Sequence, residues 1–136
     1  MADDWNQKVI EEFRANGGRV GGSFAGRTLL LLHTTGAKSG KQRVNPLVYQ
    51  AVDGGYAVFA SKAGAPTNPH WYHNLLANRS TTIEVGTETI EVYARVADDA
   101  ERGEIWNRQK ELFPNFAEYE QKTTRTIPVV ILEPSA

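Results

Sequence analysis

The sequence predicts an α+β protein, mainly β with α, in which an antiparallel sheet closes as a small barrel with helices outside it. Three observations predict this. About six stretches with strand character lie along the 136 residues. Consecutive stretches are joined by tight turns such as Asp53-Gly54-Gly55, where a parallel sheet would need crossover helices. Three or four amphipathic stretches then remain to cover the sheet from outside.

In order along the chain, Asp3 or Asp4 can cap a first helix whose stripe is Trp5, Val9 and Phe13, and Asn16-Gly17-Gly18 ends it. Residues 17–26 hold five glycines, so a loop is expected there. Residues 21–28, GGSFAGRT, come close to a phosphate-binding loop. That motif must follow a strand and open a helix, and here a leucine strand follows, so the reading is rejected. Residues 27–34 form the first strand, and its leucine run implies burial on both faces. Residues 42–52 form the second, with Pro46 marking an edge or a bulge because it cannot donate to a ladder. Residues 56–61 form the third.

Asn68 is placed to cap a short helix with Pro69 at its first position, and Trp71 and Leu75 share its inner side. Residues 81–85 and 89–97 are two more strands around Gly86, with Ile90, Val92, Ala94 and Val96 on one face. Asp98 and Glu101 form a capping-box variant for a helix whose stripe is Ile105, Gln109 and Leu112, with Trp106 beside it. Pro114 breaks that helix. A short helix follows through Phe116 and Tyr119, and residues 126–132 close the sheet, with Pro128 marking an edge. The length fits one domain spanning 1–136, of which 1–26 are a helix and a glycine-rich segment.

Apolar residues make up 40% of the chain, ordinary for a soluble protein, and there is no cysteine. A disulfide, a thiolate metal site and a cysteine nucleophile are therefore excluded. The three histidines, His33, His70 and His73, are too scattered for a metal centre. No stretch approaches the ~20 apolar residues of a spanning helix, and the acidic N-terminus does not resemble a secretory signal. A cytoplasmic protein with no membrane span is expected. The net charge is −1, but it is unevenly distributed. Residues 13–83 contain eight cations and a single acid, Asp53. That segment favours an anionic partner. Without a Lys/Arg run, nucleic acid fits less well than a small phosphorylated or carboxylated ligand.

The chemistry concentrates in residues 29–49. A leucine strand enters the turn Thr34-Thr35-Gly36-Ala37-Lys38-Ser39-Gly40, and a basic strand containing Lys41 and Arg43 runs back. Backbone amides in such a turn, with cations on both arms, can seat a phosphate; an ordinary hairpin with solvated lysines is the alternative. A second cluster, Phe59-Ala60-Ser61-Lys62-Ala63-Gly64, ends a strand in a hydroxyl, a cation and small residues that let backbone approach a planar ring. Trp71 and Tyr72 follow on a helix. Ser39 and Ser61 lack a nucleophile elbow, and no pair of carboxylates lies in the basic span. Cations, hydroxyls, amides and aromatics suit a bound cofactor that carries its own chemistry.

Taken together, TTG-x-KSG-x-x-R-x-NPL-x-Y, ASK-x-G and NP-x-WY-x-NL-x-AN resemble the deazaflavin (F420)-dependent nitroreductase and quinone reductase family, over residues 17–134. The resemblance implies a split β-barrel like that of the flavin-mononucleotide-binding reductases. It also implies hydride transfer from reduced coenzyme F420 to a quinone or nitro-type acceptor. On that resemblance Lys38, Ser39 and Arg43, with Ala37 in the same turn, hold the phosphate and acidic tail. Val44, Asn45, Pro46, Leu47 and Val48 line the cofactor. Phe59, Ala60, Ser61 and Lys62 meet the ring, and His70, Trp71, Tyr72, His73 and Asn74 cover the tail. Ser61 and Tyr119 are the candidates for a catalytic hydrogen bond or proton, and Phe113, Phe116 and Tyr119 for substrate contact.

Two positions depart from the family pattern. Phenylalanines stand at 113 and 116 where tyrosines are known, and Ala37 stands where an arginine is common. Both favour a flat quinone over a bulky nitroimidazole. A protein that stores F420 without turning it over, and a flavin- or haem-binding split barrel, are the competing readings. The protein is expected as a monomer or homodimer, membrane-peripheral if the acceptor is a lipid quinone.

Overall fold

The computed structural model describes residues 2–18, 29–36, 40–52, 54–60, 68–123 and 126–134, with only the backbone described for residues 2–6 and 115. The elements in chain order are α1 (Ala2–Ala15), β1 (Leu29–Thr35), β2 (Gln42–Val52), β3 (Gly55–Phe59), α2 (His70–Ala77), β4 (Ser80–Val85), β5 (Glu88–Val96), α3 (Asp99–Leu112), α4 (Asn115–Lys122) and β6 (Val129–Pro134). The six strands close an antiparallel barrel in the order β1-β2-β3-β6-β5-β4, as the tight turns predict.

The leucine run of β1 explains how the barrel is coated. Successive strand residues face opposite sides, yet Leu29, Leu30, Leu31 and Leu32 are all buried. Leu30 and Leu32 join the barrel interior with Val58, Ile83, Val92, Val130 and Leu132. Leu29 and Leu31 face outward, where Val9, Ile10 and Phe13 of α1 cover them. On the other flank, α3 and α4 place Ile105, Trp106 and Phe116 against Phe59, Val129 and Ile131.

α1 starts at Ala2, so Asp3 and Asp4 lie in its first turn instead of ahead of it, still where a carboxylate suits the helix N-terminus. It stops at Gly17 and Gly18, both at positive φ, with the Gly18 amide donating to the Phe13 carbonyl at 2.8 Å. A side chain at Gly18 would sit 2.8 Å from the Gly86 backbone, so the end of α1 abuts the β4–β5 turn. The β2–β3 hairpin closes as read: Val52 pairs with Gly55, and Gly54 supplies the positive φ.

Among the described residues, β2 pairs with two neighbours. Gln42 to Val48 pair with β1, and Tyr49 to Val52 pair with β3. Among the described residues Pro46 has a single ladder partner, Leu31 of β1, and a proline is tolerated where its missing N–H faces away from a ladder.

Several boundaries and faces differ from expectation. α2 begins at His70 with Pro69 as its N-cap and no side-chain cap bond, so Asn68 and Pro69 each shift by one position. Asp98 does cap α3, accepting from the Glu101 amide at 2.8 Å. The Glu101 carboxylate, however, turns to Arg95, with bonds of 2.6 and 2.8 Å, and leaves the box half built. The buried set of α3 is Ile105, Trp106 and Gln109, whereas Leu112 is 52% exposed. The chain turns at Phe113, so the last residue of the stripe overshoots the core. Val96 is 39% exposed, because the alternation ends where Ala97 turns inward and donates to Val129. The closing strand runs Val129–Pro134. Pro128 therefore precedes a central strand, and its carbonyl accepts from the Ala60 amide.

Candidate functional site

The site is built on one face of β2. Leu47 and Tyr49 pack against the barrel interior, whereas Val44 and Val48 pack outward toward α1. The period of two then puts Arg43 and Asn45 on the inner face with Leu47 and Tyr49, and Pro46 on the outer one. The register agrees, since Arg43 is opposite Thr34, Asn45 opposite Leu32 and Leu47 opposite Leu30. The run predicted to line a cofactor is thereby divided. Asn45 and Leu47 share the Arg43 face, and Val44, Pro46 and Val48 belong to the face that α1 covers.

α2 closes the same face. Trp71 and Leu75 are buried in the inner cluster with Leu30, Leu32 and Ala60. Tyr72 packs on it half-buried, edge-on to Trp71 with centroids 6.4 Å apart and to His73 at 5.7 Å. His70 and His73 are exposed, and Asn74 is half-buried. Ala60 faces the interior, so its neighbour Phe59 faces out, meeting Trp106 at 5.9 Å and Phe116 at 5.4 Å.

The substrate candidates gather on that outer side. Phe116 is buried, Tyr119 stacks edge-on to it at 5.2 Å, and Phe113 lies 6.5 Å from it. The structure brings Phe59, Phe113, Phe116 and Tyr119 together, but in a different cluster from Arg43 and Tyr72. Ala37, Lys38, Ser39, Ser61 and Lys62 lie outside the described residues.

The charges refine the sequence picture. Arg14 is held by Glu84 through two bonds of 3.0 and 2.7 Å, and the same carboxylate meets His33 Nε2 at 2.7 Å. These bonds, Arg14 first, hold the Glu84 carboxyl below the usual carboxylate range. One cation of the basic span is thus neutralised by the first acid beyond it. Arg43 is exposed and makes no ion pair among the described residues, which leaves it available to an anion.

Sequence reasoning missed Tyr49. It shares the Arg43 face and meets Tyr56 edge-on at 5.4 Å. Burial, then the neighbouring Tyr56, pushes its phenol above the ordinary range, so it remains a protonated donor at neutral pH. Parity with Arg43 and Leu47 was the available signal. Also missed was Gln50, whose buried amide bonds the Ile105 carbonyl at 3.1 Å and Gln109 at 3.2 Å. It borders an open cavity of about 660 Å³ between the end of β2 and α3. That cavity contains none of the predicted site residues, and its two acids, Glu101 and Glu104, outnumber its one cation, Arg108. The Arg43 face is the better candidate. Among the described residues no group of metal-ligating side chains is gathered, and no helix is long and apolar enough to cross a membrane.

Residues 5–134 match the family model described as F420H(2)-dependent quinone reductase. An F420H(2)-dependent quinone reductase of Mycobacterium tuberculosis is 39% identical over 124 residues, which cover 88% of this chain and 83% of that protein. Among solved structures, an F420-H2 dependent reductase, FDR-A, superimposes with a TM-score of 0.70 at 42% identity, covering 77% of this chain and 93% of the other. A structure described as a domain-swapped dimer gives 0.73 at 38% identity, covering 98% and 100%. With the match running nearly end to end and the barrel shared, this chain belongs to the F420H(2)-dependent quinone reductase family.

Proposed function

We propose that this protein is an F420-dependent oxidoreductase that passes a hydride from the reduced deazaflavin to a quinone. When bound, the coenzyme supplies the hydride; the chain supplies binding, orientation and shielding from water. The observation that carries the reading is the inner face of β2. A guanidinium that is exposed and has no acid partner among the described residues is followed on the same face by an amide, a leucine and a tyrosine, with Tyr72 and Trp71 closing it. This order of donors fits a ligand with an anionic tail and a flat ring. Arg43 can grip a phosphate with two parallel bonds, and charge-assisted bonds are roughly twice as strong as neutral ones. Lys38, Ser39, Ser61 and Lys62 complete the binding set in this proposal, and Ser61 or Tyr119 supplies a hydrogen bond to the acceptor oxygen. The apolar rings of Phe113 and Phe116 favour a quinone over a nitroimidazole.

A fluorescence titration of oxidised F420 against flavin mononucleotide tests the cofactor, and reduced-F420 oxidation with and without menadione tests turnover. Binding without turnover would establish the storage reading instead. The Arg43→Ala variant should bind F420 more weakly by more than about 1.5 kcal/mol, the loss expected of a charged hydrogen bond. Unchanged affinity would remove the tail from this face. Faster turnover of a bicyclic nitroimidazole than of menadione would overturn the acceptor assignment. We place the protein in the cytoplasm and infer a homodimer, following the similar structure described as one; sedimentation would decide between this and a monomer.

A further inference from the structure

The hydroxyl of Thr34 is not accounted for by the fold. Thr34 is 2% exposed, and its Oγ1 has no hydrogen-bond partner among the described residues. Its neighbours differ. Thr35 Oγ1 accepts from Gln42 at 3.0 Å, and Thr81 Oγ1 donates to the His33 carbonyl. A buried hydroxyl without a partner costs free energy, and a native structure that retains one invites an explanation in terms of a ligand or a water. The position suggests which. In β1, Thr34 follows Leu30 and Leu32 on the inner face and stands directly opposite Arg43. Opposed residues of an antiparallel pair share a face, with Cβ atoms about 5 Å apart. The hydroxyl and the Arg43 guanidinium therefore start from adjacent points on one surface. Beyond them the chain folds over at Gly36, whose amide donates to the Lys41 carbonyl at 2.8 Å.

We propose that Thr34 is a cofactor-binding residue whose hydroxyl donates to an anionic oxygen held by Arg43. A hydroxyl can donate or accept; beside a guanidinium, the oxygen drawn to the site is negatively charged and accepts from both. The ligand class is an oxyanion, phosphate or carboxylate. This inference rests on the F420 reading above, in which that oxyanion belongs to the coenzyme tail.

Thr34→Val keeps the shape and removes the hydroxyl, and Thr34→Ser restores it. Thermal unfolding of the apo protein and an F420 titration are measured for wild type, both Thr34 variants and Arg43→Ala. The valine variant should bind F420 roughly tenfold more weakly, a loss of about 1.4 kcal/mol, while its apo Tm stays the same or rises because an unpartnered polar group is gone. The serine variant should bind within about threefold of wild type. A valine variant with wild-type affinity would overturn the assignment, as would one that loses apo stability and keeps its affinity, since a structural hydroxyl behaves that way. If wild type binds F420 and Arg43→Ala weakens it while Thr34→Val does not, the Thr34 role alone fails. If wild type does not bind F420, both readings fail together.

Discussion

Replacing Glu84 by Gln tests the joint between α1 and the barrel. The Glu84 carboxylate, on β4, accepts two bonds from Arg14 on α1 and one from His33 on β1. Its side chain is 17% exposed and that of Arg14 50%. A fully exposed ion pair contributes about 0–1 kcal/mol, and a hydrogen bond to a charged group about 1.5–3 kcal/mol. With one partner half in water, about 1–2 kcal/mol is expected. Unfolding entropy of roughly 2.1 cal/mol/K per residue over this chain amounts to about 0.29 kcal/mol/K, so Tm should fall by roughly 5 °C at pH 7.

The pH dependence has a definite sign. Glu84 is held below its unfolded value, so its contribution is present above that value and lost as the pH falls through the folded one. The Tm gap between wild type and variant should therefore be full above about pH 5 and narrow toward about pH 3. Differential scanning calorimetry across that range reads both quantities. A gap of equal size at pH 7 and pH 3 would show that the effect comes from packing and not from the ion pair. No gap at neutral pH would show that Arg14 and His33 do not depend on this carboxylate.

Gly55→Ala should lose more than about 2 kcal/mol, because a Cβ there would meet the Leu132 carbonyl inside contact distance and push β3 from β6; urea unfolding checks it. Gln50→Leu should cost about 1–3 kcal/mol by leaving Gln109 with no partner at either end of its amide, whereas Gln109→Leu should cost less and the double variant should recover part of the loss. Leu112→Ser should change stability by less than about 0.5 kcal/mol, given its exposure; a larger loss in chemical denaturation would mean that α3 buries a different stripe.

The barrel was legible because its signals were local. The Asp-Gly-Gly turn, the leucine run and the period-two stretches each report a backbone preference or a buried face without reference to distant residues. Gln42 to Val52 emerged with the predicted limits for that reason. Leu112 and Val96 misled because both follow a correct periodicity past the point where the chain leaves the core, and only tertiary packing sets that point. For the candidate site, residue types could be read from the sequence, but their distribution over two faces could not. Arg43 to Val48 read as one lining segment, yet strand parity sends Val44 and Val48 outward to α1. Phe59 and Phe116 share a cluster that no spacing between them could reveal. Glu84 looked like the start of an acidic stretch, and its pairing with Arg14 spans seventy residues.

Among the described residues, β2 pairs with β1 as far as Val48 and with β3 from Tyr49 onward, so the two ladders meet at one peptide link. Upstream, orientation is anchored by β1; downstream, by β3. A single residue inserted there is either absorbed as a bulge or slips a ladder by one position, and a slip against β1 exchanges inside for outside along the upstream half. Arg43 and Asn45 would then be carried to the helix-covered exterior, while Val44 and Val48 would face the interior. Chain length near this junction therefore bears on the proposed anion-binding surface as directly as the identity of the arginine does.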